Sequence, residues 1–333
     1  MRFLSSLLLP ALLLTACLST PDQSADASAP ASESEPESRP TDVAGSDGPP
    51  AYTRKAFANY WYANQAELTG YTLQQSRYGE VHEGHAVLVF VTEPFSADQQ
   101  VKLDNPSAAG EDKVNVLKLN YTKKFLTGIY PYSIMTSVFT PVAVKERPYS
   151  LKTTTTIQEW CGHTYLQLNW QGPAYGVQGF SYFESEGDID ATVQTSLLED
   201  ELWTRLRLDP TSIPTGAVEL LPSSMYIRLL HRPVAARRAM ISKGDTTVDE
   251  VSSAYLRVFY PEDGRELVIY HEAAFPYAIL GWDEVYDAPA WTGNPGELTT
   301  SARRSGTLKS PYWQQHLNRH RQLRRGLGLP ISH

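Results

Sequence analysis

Cysteine is nearly absent from this sequence, with two residues in 333, too few for the disulfide framework of a small secreted scaffold. Cationic excess is absent too: 29 Lys and Arg stand against 37 Asp and Glu, a formal charge of −8. Phosphate binding needs a net cationic surface, so no nucleic-acid partner is expected. The overall polarity, 41% hydrophobic and 20% charged, excludes a multi-span membrane protein. The patterns G-x-S-x-G, P-loop, H-E-x-x-H and C-x-x-C are missing, and no cofactor is expected. There is no fixed-period repeat and no βαβ alternation, which argues against a Rossmann-type nucleotide fold.

What is present begins with an export signal. Met1-Arg2 is a short positive n-region, and Phe3 to Leu14 is an apolar run too short for a permanent span but right for a secretory h-region. It ends Leu14-Thr15-Ala16-Cys17, which resembles the bacterial lipobox, where cleavage precedes an acylated Cys. Residues 1–16 are therefore expected to be a lipoprotein signal peptide and Cys17 the lipidated residue, tying the protein to a membrane by several acyl chains. Leu18 stands where an Asp marks inner-membrane retention in many enteric-type bacteria, so the expected location is the outer membrane, facing the periplasm. After Cys17, residues up to 50 carry seven acids, one Arg and no aromatic residue. Residues 17–50 thus read as a disordered acidic tether, with too little apolar surface to offset ordering entropy.

From residue 51 the composition changes: every aromatic residue except Phe3 lies beyond Pro50. Residues 51–333 carry a net charge of −3 and read as a single β-rich globular domain. Phe57, Tyr60 and Trp61 recur at helical spacing within 51–67, predicting an opening helix. Strands are predicted near 68–79, 81–93, 113–125, 129–144, 148–158, 159–170, 175–186, 224–231, 234–242, 251–260 and 265–273. Leu117, Leu119 and Tyr121 share one face of their segment, and Ala86 to Val91, apolar on both faces, predicts a central strand. Val193, Leu197, Leu198, Leu202 and Leu206, with Trp203 beside them, predict one internal helix preceded by Asp188 and Asp190. The fold class expected is mainly β, β-rich α+β: a large curved antiparallel sheet or half-barrel packed on an internal helix, with N- and C-terminal helices. The architectural analogue is the half-barrel of periplasmic lipoprotein carriers, an analogy that carries no function. At the C-terminus, Ser310-Pro311 as N-cap and N1, then Trp313, Leu317 and Leu323 with Arg319, Arg321, Arg324 and Arg325, predict a basic amphipathic helix ending at Gly326.

Several stretches, GHAVLVFVTEPF (84–95), KVNVLKLNYTKKFLTGIYPYS (113–133), IQEWCGHTY (157–165), SYFESEGD (181–188), LEDELW (198–203), RLLH (228–231) and AFPYAILGWDE (274–284), together resemble a family of uncharacterised bacterial lipoproteins. Its members often carry the label septum formation inhibitor Maf. The resemblance covers most of residues 60–325 and implies no established catalytic residues. The true Maf pyrophosphatases are compact cytoplasmic α/β enzymes with an N-terminal Ser-rich, Arg-containing nucleotide motif. That motif is missing here, and an exported lipoprotein meets no nucleoside triphosphate pool, so the activity in the label is not carried over.

Three constellations invite chemistry. Glu159, Cys161 and His163, spaced by two, would project from one face of a strand, where an imidazolium could stabilise a thiolate. The bland alternative is a buried Cys beside a hydrogen-bonded His. His82 and His85 would face each other across a two-residue turn on Glu83-Gly84 and offer two metal ligands, whereas a turn at Gly79-Glu80 would put them on opposite faces. Glu184, Glu186, Asp188 and Asp190 gather around Gly187 without EF-hand spacing, and read as capping or solvated acids. The functional expectation is a non-catalytic envelope lipoprotein that binds a hydrophobic or peptidic ligand or an envelope protein. The alternative is a Cys161/His163-dependent envelope enzyme.

Overall fold

The structure, a computed structural model, describes residues 52–288 and 296–331. The signal peptide, Cys17 and the tether expected above lie outside these residues. The first element, α1 (Arg54–Trp61), starts where the Thr53 hydroxyl accepts the Ala56 N–H at 3.1 Å and buries Phe57 and Trp61. It is shorter than the 51–67 expected. The chain reverses at Asn64, in left-handed conformation (φ 53°), so that Glu67 already belongs to a strand.

Among the described residues fifteen strands follow: β1 (Ala66–Arg77), β2 (Glu80–Ser96), β3 (Lys113–Thr127), β4 (Tyr130–Pro141), β5 (Lys152–Glu159), β6 (Gly162–Trp170), β7 (Ala174–Phe180), β8 (Ile189–Gln194), β9 (Leu197–Leu198), β10 (Gly216–Leu221), β11 (Arg237–Val248), β12 (Val251–Tyr260), β13 (Arg265–Glu272), β14 (Ile279–Ala288) and β15 (Gly296–Ser310). They form one sheet in the order β8 through β1, then β15 down to β9. Every pairing is antiparallel except β9 with β10. The fold is thus mainly β, a large antiparallel sheet, as the alternating apolar pattern predicts. β2 lies centrally, with Ala86, Leu88 and Phe90 buried and Val87 and Val89 half-buried.

The sheet order forces curvature. β8 and β9 are its two outermost strands, yet Gln194 and Leu197 are three residues apart in the chain, a reach of at most about 10 Å. The two edges must therefore curl round to face each other. Side chains seal them: Leu166, Leu168, Tyr175 and Val177 from one wing pack with Leu198 and Leu221 from the other. Apolar burial joins the two edges of this open, curved sheet, which no hydrogen-bond ladder connects among the described residues.

Inside runs α2 (Glu199–Leu208), all ten residues of which are buried. Leu202 and Leu206 are fully enclosed, and Trp203 packs tilted against Tyr121 and edge-on against Trp282. The helix starts later than its apolar spacing predicts, because Val193 pairs within β8 and Leu197 and Leu198 form β9 at the seam. The acids at its N-terminus are Glu199, Asp200 and Glu201 rather than Asp188 and Asp190, with Arg205 and Arg207 in the last turn, both favourable to the helix dipole.

Charged residues on a wholly buried helix need partners. Arg207 forks onto Glu67 at 2.5 and 2.6 Å, and the Tyr60 hydroxyl donates to the same carboxylate. Arg265 forks onto Glu199 at 2.5 and 2.6 Å and also reaches Glu284 at 2.8 Å. Glu201 accepts the backbone N–H of Ser150 at 2.7 Å. The helix is thereby fixed to both wings of the sheet by charge-assisted bonds.

Other expectations are corrected. Residues 224–231, expected as a strand, contain α3 (Ser224–Leu229), capped by the Ser223 hydroxyl and held by the Asp200 carboxylate on the Ser224 N–H at 3.0 Å. β8, β10, β14 and β15 fall where no strand was predicted. β15, rich in Thr, Ser, Arg and Gly, has little apolar alternation of its own and takes its conformation from β1 and β14 on either side. It runs through Ser310, so no α-helix starts there. The basic tail instead forms 3₁₀ turns over Tyr312–Gln314 and Asn318–Leu327. It is fastened by close backbone approach. Gly70 and Gly306 are paired across β1 and β15, and a Cβ on them would come within 2.0 Å of the Leu327 carbonyl and 2.2 Å of the Gly326 carbonyl.

Candidate functional site

In an antiparallel meander alternate turns share one end, so the β1–β2, β3–β4 and β5–β6 turns and the β7–β8 loop cluster together. The first is a tight turn on Tyr78-Gly79, both at positive φ, between the paired residues Arg77 and Glu80. This placement corrects the turn on Glu83-Gly84. His82 and His85 lie on one strand, opposite Gln75 and Thr72, and three residues apart they face opposite sides of the sheet and cannot share a metal. His82 Nε2 instead contacts the Arg77 carbonyl at 3.0 Å.

The β5–β6 turn corrects a second expectation. Glu159 pairs with Gly162, so Trp160 and Cys161 are the two turn residues and His163 belongs to the next strand, opposite Gln158. Glu159, Cys161 and His163 do not share one strand face. Cys161 is exposed at the hairpin tip, neither buried nor paired with an imidazole: among the described residues no hydrogen bond joins it to His163. Its backbone N–H donates to Glu159 at 2.7 Å, and the hydrogen bonding and negative charge of Glu159 push the thiol up from its usual pKa. A carboxylate in this place disfavours the thiolate that nucleophilic chemistry requires.

The tip cluster nevertheless surrounds a cleft of about 460 Å³. Tyr78, Tyr132, Ile157, Phe183 and Leu229 supply apolar surface, and Glu159, Cys161 and His163 all contribute to its wall. Arg77 organises the floor, donating to the Leu229 carbonyl at 2.5 Å and lying 4.3 Å from the Tyr78 ring centroid and 5.5 Å from that of Tyr132. The Tyr78 and Tyr132 hydroxyls are 2.6 Å apart, and Phe125 stacks on Tyr132. Across the cleft the loop after β7 is locked to the end of α3. Glu186 pairs with Arg228 and with His231 Nδ1 at 2.6 Å, and accepts from Ser181. Burial opposes its ionisation, but the hydrogen bonds of Ser181 and His231 and the charge of Arg228 hold its carboxyl below the usual glutamate value. Of the four acids around Gly187, Glu186 is therefore a structural anion.

Beyond the cleft, the same end carries exposed apolar residues next to its turns: Val81, Leu126, Ile129, Trp160, Phe180 and Tyr182, with Ile129 83% and Trp160 68% exposed. Sequence reasoning missed Arg77, Tyr132, Glu186, Arg228 and His231 as neighbours. A signal existed, since SYFESEGD and RLLH supply Glu186, Arg228 and His231, but nothing local joins segments 42 residues apart.

No family model matches this chain, and no curated protein does. A solved structure titled "Beta-barrel-like Protein of Domain of Unknown Function DUF1849", from Brucella abortus, is similar over 74% of this chain and 97% of its own, at 6% identity and a TM-score of 0.38.

Proposed function

We propose that the protein is a membrane-anchored envelope lipoprotein, lipidated at Cys17, that binds a small hydrophobic or peptidic ligand in the hairpin-tip cleft. The observation that carries this reading is the cleft itself: about 460 Å³, within the usual range for small-molecule sites, with an apolar surface from Tyr78, Tyr132, Ile157, Phe183 and Leu229 and polar groups from Arg77, Glu159, His163, Arg228 and His231 that could orient a ligand. The exposed tips beside it form an apolar border of the kind that marks interaction surfaces. The lipobox-like Leu14-Thr15-Ala16-Cys17 and the acidic stretch behind it support tethering to the outer membrane, and the resemblance to exported bacterial lipoproteins points the same way. The Glu159 carboxylate beside Cys161 weighs against thiol catalysis.

The deciding experiment is mass spectrometry of a solvent extract of the natively purified protein, combined with titration of a fluorescent fatty acid. Saturable uptake that weakens in Phe183→Ala supports the binding reading; no extracted ligand and no uptake overturns it. The anchor is tested separately. Cys17→Ser should abolish palmitate incorporation and release the protein from membranes or leave an uncleaved precursor, whereas equal labelling of the variant refutes lipidation at Cys17.

A further inference from the structure

A second cleft, of about 540 Å³, lies at the other end of β6, between the β6–β7 turn and the segment after β2. Its chemistry is unlike that of the first. Gln99, Gln100, Asn169, Gln171 and Gln178 bring five primary amides to it. Asp98 and Asp190 are the only charged residues among the described residues that line it. With no cation, the cleft repels phosphates and carboxylates. With Val177 as its one large aliphatic side chain, it lacks the apolar pocket that a lipid needs.

Two of these amides, Asn169 and Gln100, are pre-ordered. On the outer face of β6 the Tyr165 hydroxyl donates to Gln167 Oε1 at 2.6 Å, Gln167 Nε2 to Asn169 Oδ1 at 2.6 Å, and Asn169 Nδ2 to Gln100 Oε1 at 2.7 Å. Gln100 ends the ladder, its Nε2 on the Trp170 carbonyl at 2.6 Å. Asn169 and Gln100, the ladder amides that line the cleft, each keep one N–H and one acceptor lone pair. Gln100 is itself buried and held at φ 53°, a conformation that costs free energy in a non-glycine residue and concentrates where a site must be held in one geometry. At Gly176 the missing side chain leaves room for the Gln171 amide, which would lie 2.5 Å from a Cβ there.

Donor and acceptor paired on each planar amide, with carboxylates as further acceptors, match the vicinal hydroxyls of a sugar ring. We propose that this cleft binds a neutral polyhydroxylated ligand, a segment of an uncharged glycan. The test is calorimetric titration of the purified full chain with cellotetraose, maltotetraose and chitotetraose, with tetra-alanine as the competing class. At least one saccharide should bind saturably. Gln178→Ala and Asp190→Ala, both at exposed positions, should weaken it about five-fold for the neutral hydrogen bond of Gln178 and by at least that for the charge-assisted bond of Asp190, with thermal unfolding unchanged. No saturation by any saccharide at about 10 mM, tighter binding of the peptide, or affinity unaffected by both variants overturns the proposal.

Discussion

Leu202→Ala tests whether α2 is the structural plug of the curved sheet. Leu202 is fully buried, in one apolar cluster with Trp203, Leu206 and residues from both wings of the sheet. The substitution removes three carbons, and the cavity cannot collapse easily because every residue of α2 is enclosed and its ends are held by Arg207–Glu67 and Glu199–Arg265. Buried Leu→Ala changes cost about 2–5 kcal/mol, with the larger values at sites that relax little, so about 3–5 kcal/mol is expected here. Unfolding entropy of about 2.1 cal/mol/K per residue over roughly 280 residues gives about 0.6 kcal/mol/K, and hence a melting temperature lower by about 5–8 °C. Scanning calorimetry reads the shift directly. Leu126→Ala, on an exposed side chain, is the control and should stay within about 0.5 kcal/mol of the parent. An unchanged melting temperature in Leu202→Ala would refute the inference that the sheet closes on this helix.

Acid should unfold the protein through two glutamates, Glu67, fully buried, and Glu284, nearly so. Burial alone would raise both, but Arg207 holds Glu67 and Arg265 holds Glu284 below the usual value of 4.5. Folded-state values below the unfolded one mean that this stability is present above pH 4.5 and is lost as pH falls through the folded-state values. Asp200, which burial raises, runs the opposite way and loses stability as pH rises through its folded-state value. Denaturant titrations should therefore show an acid-side loss that is blunted in Glu67→Gln, a variant that also costs about 3–5 kcal/mol at neutral pH by stranding Arg207; equal acid sensitivity in the variant would contradict the assignment. At the cleft, iodoacetamide should reach Cys161 in the folded protein, because the thiol is exposed, and Glu159→Gln should speed the reaction several-fold near neutral pH by lowering the thiol pKa. Protection of Cys161 until unfolding, or an unchanged rate in the variant, would refute the geometry described for the tip.

The candidate site shows why some residues were legible in sequence and others were not. Cys161 and His163 stand out as residue types, and both reach the cleft wall. Their relation was misread, because spacing by two implies one strand face only while the strand continues, and the chain turns at Trp160-Cys161. Arg77 and Leu229 meet across 152 residues, a contact no local pattern announces.

Local periodicity by itself determined the strand-rich class, the inward faces of segments such as Leu117, Leu119 and Tyr121, and an internal helix through Leu202 and Leu206, because burial of alternate or every third to fourth residue is written into the chain. Tertiary structure alone decided the rest. β15 exists because two neighbours complete its hydrogen bonds. Residues 224–229 coil into α3 where Asp200 and Ser223 cap them, and the sheet closes because Gln194 and Leu197 anchor opposite edges within three residues. Glu67 and Arg207, 140 residues apart, are tolerable in an apolar interior only as partners, and pairing is a property of the assembled fold that neither residue carries alone.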